Sequence, residues 1–148
     1  MAAPSPEHPH DPACVVLDTN IVLDLWVFAD AQAQRVKEAV QTGRLQWLAT
    51  EAMREELTRV LDYPQIARRL HQAQCRAADV LDTFGRHARI VTAPPKAAFT
   101  CKDVDDQKFV DLAAAHRCLL LSKDHAVLCM ARRLQTLGVA TQACWAGP

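Results

Sequence analysis

The run Cys14 to Leu17 contains no polar residue, and Cys118 to Leu121 repeats the pattern far downstream. Strands that are half exposed alternate apolar and polar side chains, so runs this uniformly apolar belong to strands buried on both faces. Such strands occur in parallel sheets covered by helices, and parallel strands need long crossover connections. The intervening sequence supplies them. Leu45 to Leu48 and Ala88 to Val91 read as two further strands, and Thr141 to Cys144 as a weak last one. Between them lie segments of helical periodicity. The expected fold is an α/β, three-layer α/β/α sandwich around a mostly parallel central sheet of four to five strands.

The helices are placed by their stripes and their ends. Ile21 to Ala29 reads as helical, and Asp30 caps a second helix to about Val40 that Gly43 stops. Thr50 offers an N-cap for Glu51 to Leu61, where Met53, Leu57, Val60 and Leu61 share one side. Pro64 suits the first turn of a helix to about Phe84, with Gly85 as its stop. Asp105 or its neighbour starts a helix through His116, and another runs from about Ala126 to Leu137 with Gly138 behind it.

A chain of 148 residues, 50% apolar and 23% charged, is enough for one domain with its own core. The division expected is a leader over 1–12, holding four prolines with His8 and His10, and a single domain over 13–148. Seventeen basic residues balance seventeen acidic ones, which argues against a broad phosphate-binding surface and restricts nucleic-acid contact to a local patch. Cys14, Cys75, Cys101, Cys118, Cys129 and Cys144 form no zinc-ligand pattern and read as small buried hydrophobes. With no signal segment and no apolar run near the roughly 18 residues that span a bilayer, the expected setting is a reducing cytoplasm.

Ligand crevices in open parallel sheets lie beyond the carboxyl ends of the strands. Asp18 stands there after the first run and Asp124 after the fourth. Each alone is an ordinary cap or turn former. Together at one sheet edge they would repel unless a cation or a basic group lay between them. Helical arithmetic puts Asp106 in the arc of Phe109, Leu112 and Ala113 and Asp111 on the opposite, solvated side. It also puts Glu55 outward and Glu56 at the edge of its apolar stripe, where pairing with Arg59 or with an arginine of the next helix is the plain structural alternative. Asp105 reads as a cap or an outer ligand. Asp18, Glu56, Asp106 and Asp124 are the candidate site, with metal ligation expected of Asp18, Asp106 and Asp124. Oxygen ligands without thiolate or imidazole suit Mg²⁺ or Mn²⁺, and phosphodiester hydrolysis is the natural use.

The order of these residues resembles the PIN-domain family, and within it the branch of toxins from bacterial toxin–antitoxin pairs. Val15 to Asn20 is similar to the family's opening strand with its D-T-N signature. Glu56 to Leu61, followed by Pro64, resembles the E-L-x-x-V-L segment, Asp103 to Phe109 resembles D-P-D-D-x-x-F, and Ser122 to His125 resembles the T-G-D-K-D turn. In that last turn Lys123 replaces glycine, His125 lysine and Ala126 the second aspartate. The resemblance implies metal binding at Asp18, support from Thr19, Asn20, Asp105 and Ser122, and an endoribonuclease acting on single-stranded RNA. It further implies a homodimer held inactive by a small antitoxin; the lack of a spanning apolar run gives the expectation of no membrane partner. His125 reads as a surface or outer residue rather than a proton donor, and Lys102, Lys108 and Lys123 either touch RNA or balance the acids. Two alternatives stay open. One is a catalytically silent PIN-like RNA-binding scaffold. The other is an aspartate-based phosphotransfer domain, for which Asp18-Thr19-Asn20 lacks the second carboxylate.

Overall fold

A computed structural model describes residues 13–145 and residue 147; the expected leader over 1–12, with His8 and His10, lies outside the described residues. Five strands form one sheet in the order β3-β2-β1-β4-β5, with every neighbouring pair parallel. They are β1 (Ala13–Leu17), β2 (Leu45–Ala49), β3 (Ala88–Ile90), β4 (Leu119–Leu121) and β5 (Thr141–Gln142). Val15 and Leu17 point to one face of β1 and Val16 to the other, yet all three are at most 2% exposed. Both faces of the central strand are therefore covered, as expected from its apolar run.

Eight α-helices accompany the strands among the described residues: α1 (Thr19–Trp26), α2 (Gln34–Gln41), α3 (Glu51–Leu61), α4 (Pro64–Gln72), α5 (Ala77–His87), α6 (Gln107–His116), α7 (His125–Leu128) and α8 (Ala131–Gln135). Asp30 caps as expected, through a bond from Gln32 N, but onto a 3₁₀ turn, Ala31–Ala33, that precedes α2. Trp47 of β2 anchors the core, stacked on Trp26 at 5.1 Å and met edge-on by Phe84 at 4.9 Å. Such aromatic pairs add specific geometry to the area they bury.

Two expected helices are each broken in two. The segment from Pro64 is interrupted after Gln72, where Gln74 adopts φ 54 and the N–H groups of Gln74 and Cys75 return to His71 O and Leu70 O. That is a Schellman stop built without glycine. The chain restarts through a reciprocal bond set between Arg76 and Asp79. The apolar stripe stays in phase across the gap, so periodicity alone reads one helix. Gly85 is no stop, for α5 continues to His87. The stretch Ala126 to Leu137 likewise divides at Cys129–Met130, where Met130 N bonds to Val127 O in a tightened turn.

The cysteines depart from their expected role. Cys14 of β1 and Cys118, just before β4, sit side by side in the strand register and are joined by a disulfide. Of the other four only Cys101 is buried, while Cys129 and Cys144 are exposed.

Candidate functional site

The chain leaves β1, builds β2 and β3 on one side, then crosses back to lay β4 on the other flank of β1. Connections diverge at this reversal, the position beyond the carboxyl ends of the strands where ligands bind in open parallel sheets. Leu17 pairs with Leu121, and Asp18 N bonds to Leu121 O at 3.0 Å, so the residues following the two strands emerge together. Asp18 emerges from β1, and Ser122, Lys123 and Asp124 from β4.

Asp18 is held from two directions. Ser122 Oγ donates to Asp18 Oδ2 at 2.6 Å, and Asn20 N donates to Asp18 Oδ1 at 3.3 Å, making Asp18 the N-cap of α1. Ser122 Oγ also accepts from Asp124 N at 3.0 Å, and Asp124 Oδ1 accepts from Ala126 N at 2.9 Å as the N-cap of α7. Asp106 arrives from a third element. It ends the 3₁₀ turn Val104–Asp106 immediately before α6 and is buried, as are Phe109, Leu112 and Ala113 of the arc that helical arithmetic assigns it to.

Ligand oxygens of Asp18, Asp106 and Asp124 lie within 4.8 Å of one another. Asp106 Oδ2 is buried with no hydrogen-bond partner. Burial pushes the Asp106 carboxyl up to about 8, reinforced by the hydrogen bond its protonated form makes with Asp124 and by the charges of Asp18 and Asp124. Asp18 is also raised, mainly by burial and further by Glu56 and Asp124, with the bonds from Ser122 and Asn20 acting in the opposite direction. Three converging carboxyl groups of this kind are unfavourable as anions in the bare protein and favourable around a cation.

Glu56 stands beside this cluster rather than in it. Its Oε2 accepts from Thr19 Oγ1 at 2.6 Å, and its Oε1 pairs with Lys108 Nζ. Helical arithmetic placed it correctly, half-buried while Glu55 is exposed, but its cation is Lys108 rather than Arg59. Asp105 is exposed and outside the cluster; Asp103 caps the 3₁₀ turn through Asp105 N at 2.9 Å. Thr50 occupies the N-cap position of α3 without a capping bond, its buried Oγ1 unpartnered. Lys102 and His125 are exposed, whereas Lys108 and Lys123 are both engaged in ion pairs.

Three arrangements were not anticipated. Asp111 is no free surface acid: Oδ1 accepts from Ala97 N and from Gln107 Nε2, each at 2.8 Å. Gln107 in turn bonds to Phe99 O and Cys101 N, so α6 fastens the loop before it. Asp24 is buried in α1 and paired with Lys123 Nζ at 2.5 Å. A carboxylate inside the run Ile21 to Trp26 was the available signal, since an unpaired charge is excluded from such a setting.

The family model described as PIN domain matches residues 14–126. The chain belongs to the PIN-domain family. The match spans β1 through the start of α7 and so includes Asp18, Glu56, Asp106 and Asp124. PIN domains are generally metal-dependent nucleases, and the three-aspartate cluster of this one fits a divalent cation by its all-oxygen donor set and by the unpartnered Asp106 Oδ2. A search among curated protein sequences returns no match. No helix among the described residues is long and apolar enough to cross a membrane.

Proposed function

We propose that this PIN domain is an endoribonuclease that hydrolyses single-stranded RNA with Mg²⁺ or Mn²⁺ held by Asp18, Asp106 and Asp124. The observation that carries the reading is the convergence of those carboxyl groups with a buried oxygen of Asp106 left unpartnered. A bound divalent cation would supply acidified water and charge neutralisation at the phosphodiester. The protein's part is positioning. Ser122 fixes the direction of Asp18 and the start of the Asp124 turn together, and Thr19 with Lys108 fixes Glu56 at the rim. Asp106 would hold the cation as a carboxylate, its proton released to solvent on binding. Hydrolysis adds water across one P–O bond, leaving a phosphate on one fragment and a hydroxyl on the other.

RNA as substrate, preference for single strands, homodimer formation and a small antitoxin partner are supported by the resemblance of the four acidic segments to the toxin branch. Residues 13–148 would act as one nuclease domain. The test is cleavage of a panel of single- and double-stranded RNAs with Mn²⁺, Mg²⁺ or chelator. Metal-dependent cutting of single strands that Asp18→Asn abolishes supports the reading. Equal RNA affinity without cleavage selects a silent scaffold instead.

A further inference from the structure

Lys123 occupies the turn between Ser122 and Asp124, where a cation next to three carboxylates invites the reading of a phosphate contact. Its ammonium is committed elsewhere. It reaches into α1 and pairs with Asp24 Oδ2 at 2.5 Å, where the Asp24 side chain is only 9% exposed against 47% for Lys123. The turn is thus tied to the β1–α1 unit at consecutive positions, Ser122 to Asp18 and Lys123 to Asp24, immediately before Asp124 supplies its oxygen to the cluster.

We propose that Lys123 is a positioning residue: its ion pair with the buried Asp24 sets the β4–α7 turn so that Asp124 meets Asp18 and Asp106 at one cation. This rests on the cation site proposed above. The physical reason lies in the asymmetry of burial. Asp24 is fixed within a packed helix, and a buried carboxylate deprived of its partner is strongly unfavourable, so the lysine is drawn to a fixed point. The turn, which has only the buried Ser122 and the exposed Lys123 between β4 and Asp124, follows the lysine. Groups that orient metal ligands in this way govern affinity at a distance from the metal.

The experiment measures Mn²⁺ dissociation constants by direct titration, alongside thermal midpoints, for wild type, Lys123→Met, Lys123→Arg, the double variant Asp24→Asn/Lys123→Met, and Asp18→Asn. Lys123→Met should weaken Mn²⁺ binding by about tenfold or more. Lys123→Arg, which keeps the pair, should restore most of it. The double variant removes the buried charge with its partner, so its midpoint should recover while its Mn²⁺ affinity stays low. That split separates positioning from simple loss of stability, and the double variant carries the test if Lys123→Met does not fold. Wild-type Mn²⁺ affinity in the double variant, with Asp18→Asn weakened, overturns the role of Lys123 and leaves the site standing. Wild-type affinity in Asp18→Asn as well overturns both.

Discussion

Ser122 Oγ donates a 2.6 Å hydrogen bond to Asp18 Oδ2, joining residues 104 positions apart in the chain. The bond exists because β1 and β4 are adjacent and parallel, with Leu17 opposite Leu121. It lies at the point where the sheet reverses its order of strands, and it is fully buried. The hydroxyl serves two carboxylate residues at once, orienting Asp18 through its proton and receiving the backbone N–H of Asp124. Ser122→Ala should therefore weaken Mn²⁺ binding by about tenfold and cost about 1–3 kcal/mol of stability, read by metal titration and chemical denaturation.

Asp106 gives the bare protein a distinctive response to pH. The folded chain holds its proton up to about pH 8, whereas the unfolded chain releases it near 3.8. Between those values the folded state binds more protons, so stability falls as pH rises, on the order of 1 kcal/mol per pH unit from this group. Below the lower value the contribution is constant. Denaturation in chelator at pH 5, 6, 7 and 8 should show this decline, Asp106→Asn should reduce it to the smaller part that the raised Asp18 contributes, and Mn²⁺ should reverse it in wild type.

Much of this was legible in the sequence because apolar runs and helical arcs are local patterns with global consequences. Cys14 to Leu17 announced a strand covered on both faces, and the arc of Phe109, Leu112 and Ala113 announced an inward Asp106. Periodicity places Glu56 at the edge of the apolar face of α3 but carries nothing of its partner, since pairing across elements depends on tertiary placement of Lys108. The breaks after Gln72 and at Cys129 are invisible to periodicity because the stripe of each helix keeps its phase through the break. Helix arithmetic places Asp111 on the solvated side because it carries no information on the loop from Ala97 to Cys101, which bonds to Asp111 and Gln107.

Asp111 and Gln107 serve architecture rather than chemistry. Asp111→Ala strips Ala97 N and Gln107 Nε2 of their shared acceptor. The expected cost is about 1–3 kcal/mol in denaturant unfolding, with Mn²⁺ affinity of the folded protein unchanged.

Glu56 and Lys108 should behave as a unit. Lys108→Met leaves Glu56 half-buried with Thr19 as its remaining partner, and Glu56→Gln releases the lysine. A double-mutant cycle on RNA cleavage rates should show coupling of about 1 kcal/mol or more, so that the second substitution costs less than the first. Additive losses would mean that the two residues act separately.

The central claim is that Asp18, Asp106 and Asp124 form a single cation site, and equilibrium titration with Mn²⁺ near pH 8 reads it most directly. Saturable binding by the wild type, weakened by about tenfold to a hundredfold in each of Asp18→Asn, Asp106→Asn and Asp124→Asn, is the expected result. Unchanged affinity in the three variants, each still folded, would contradict it.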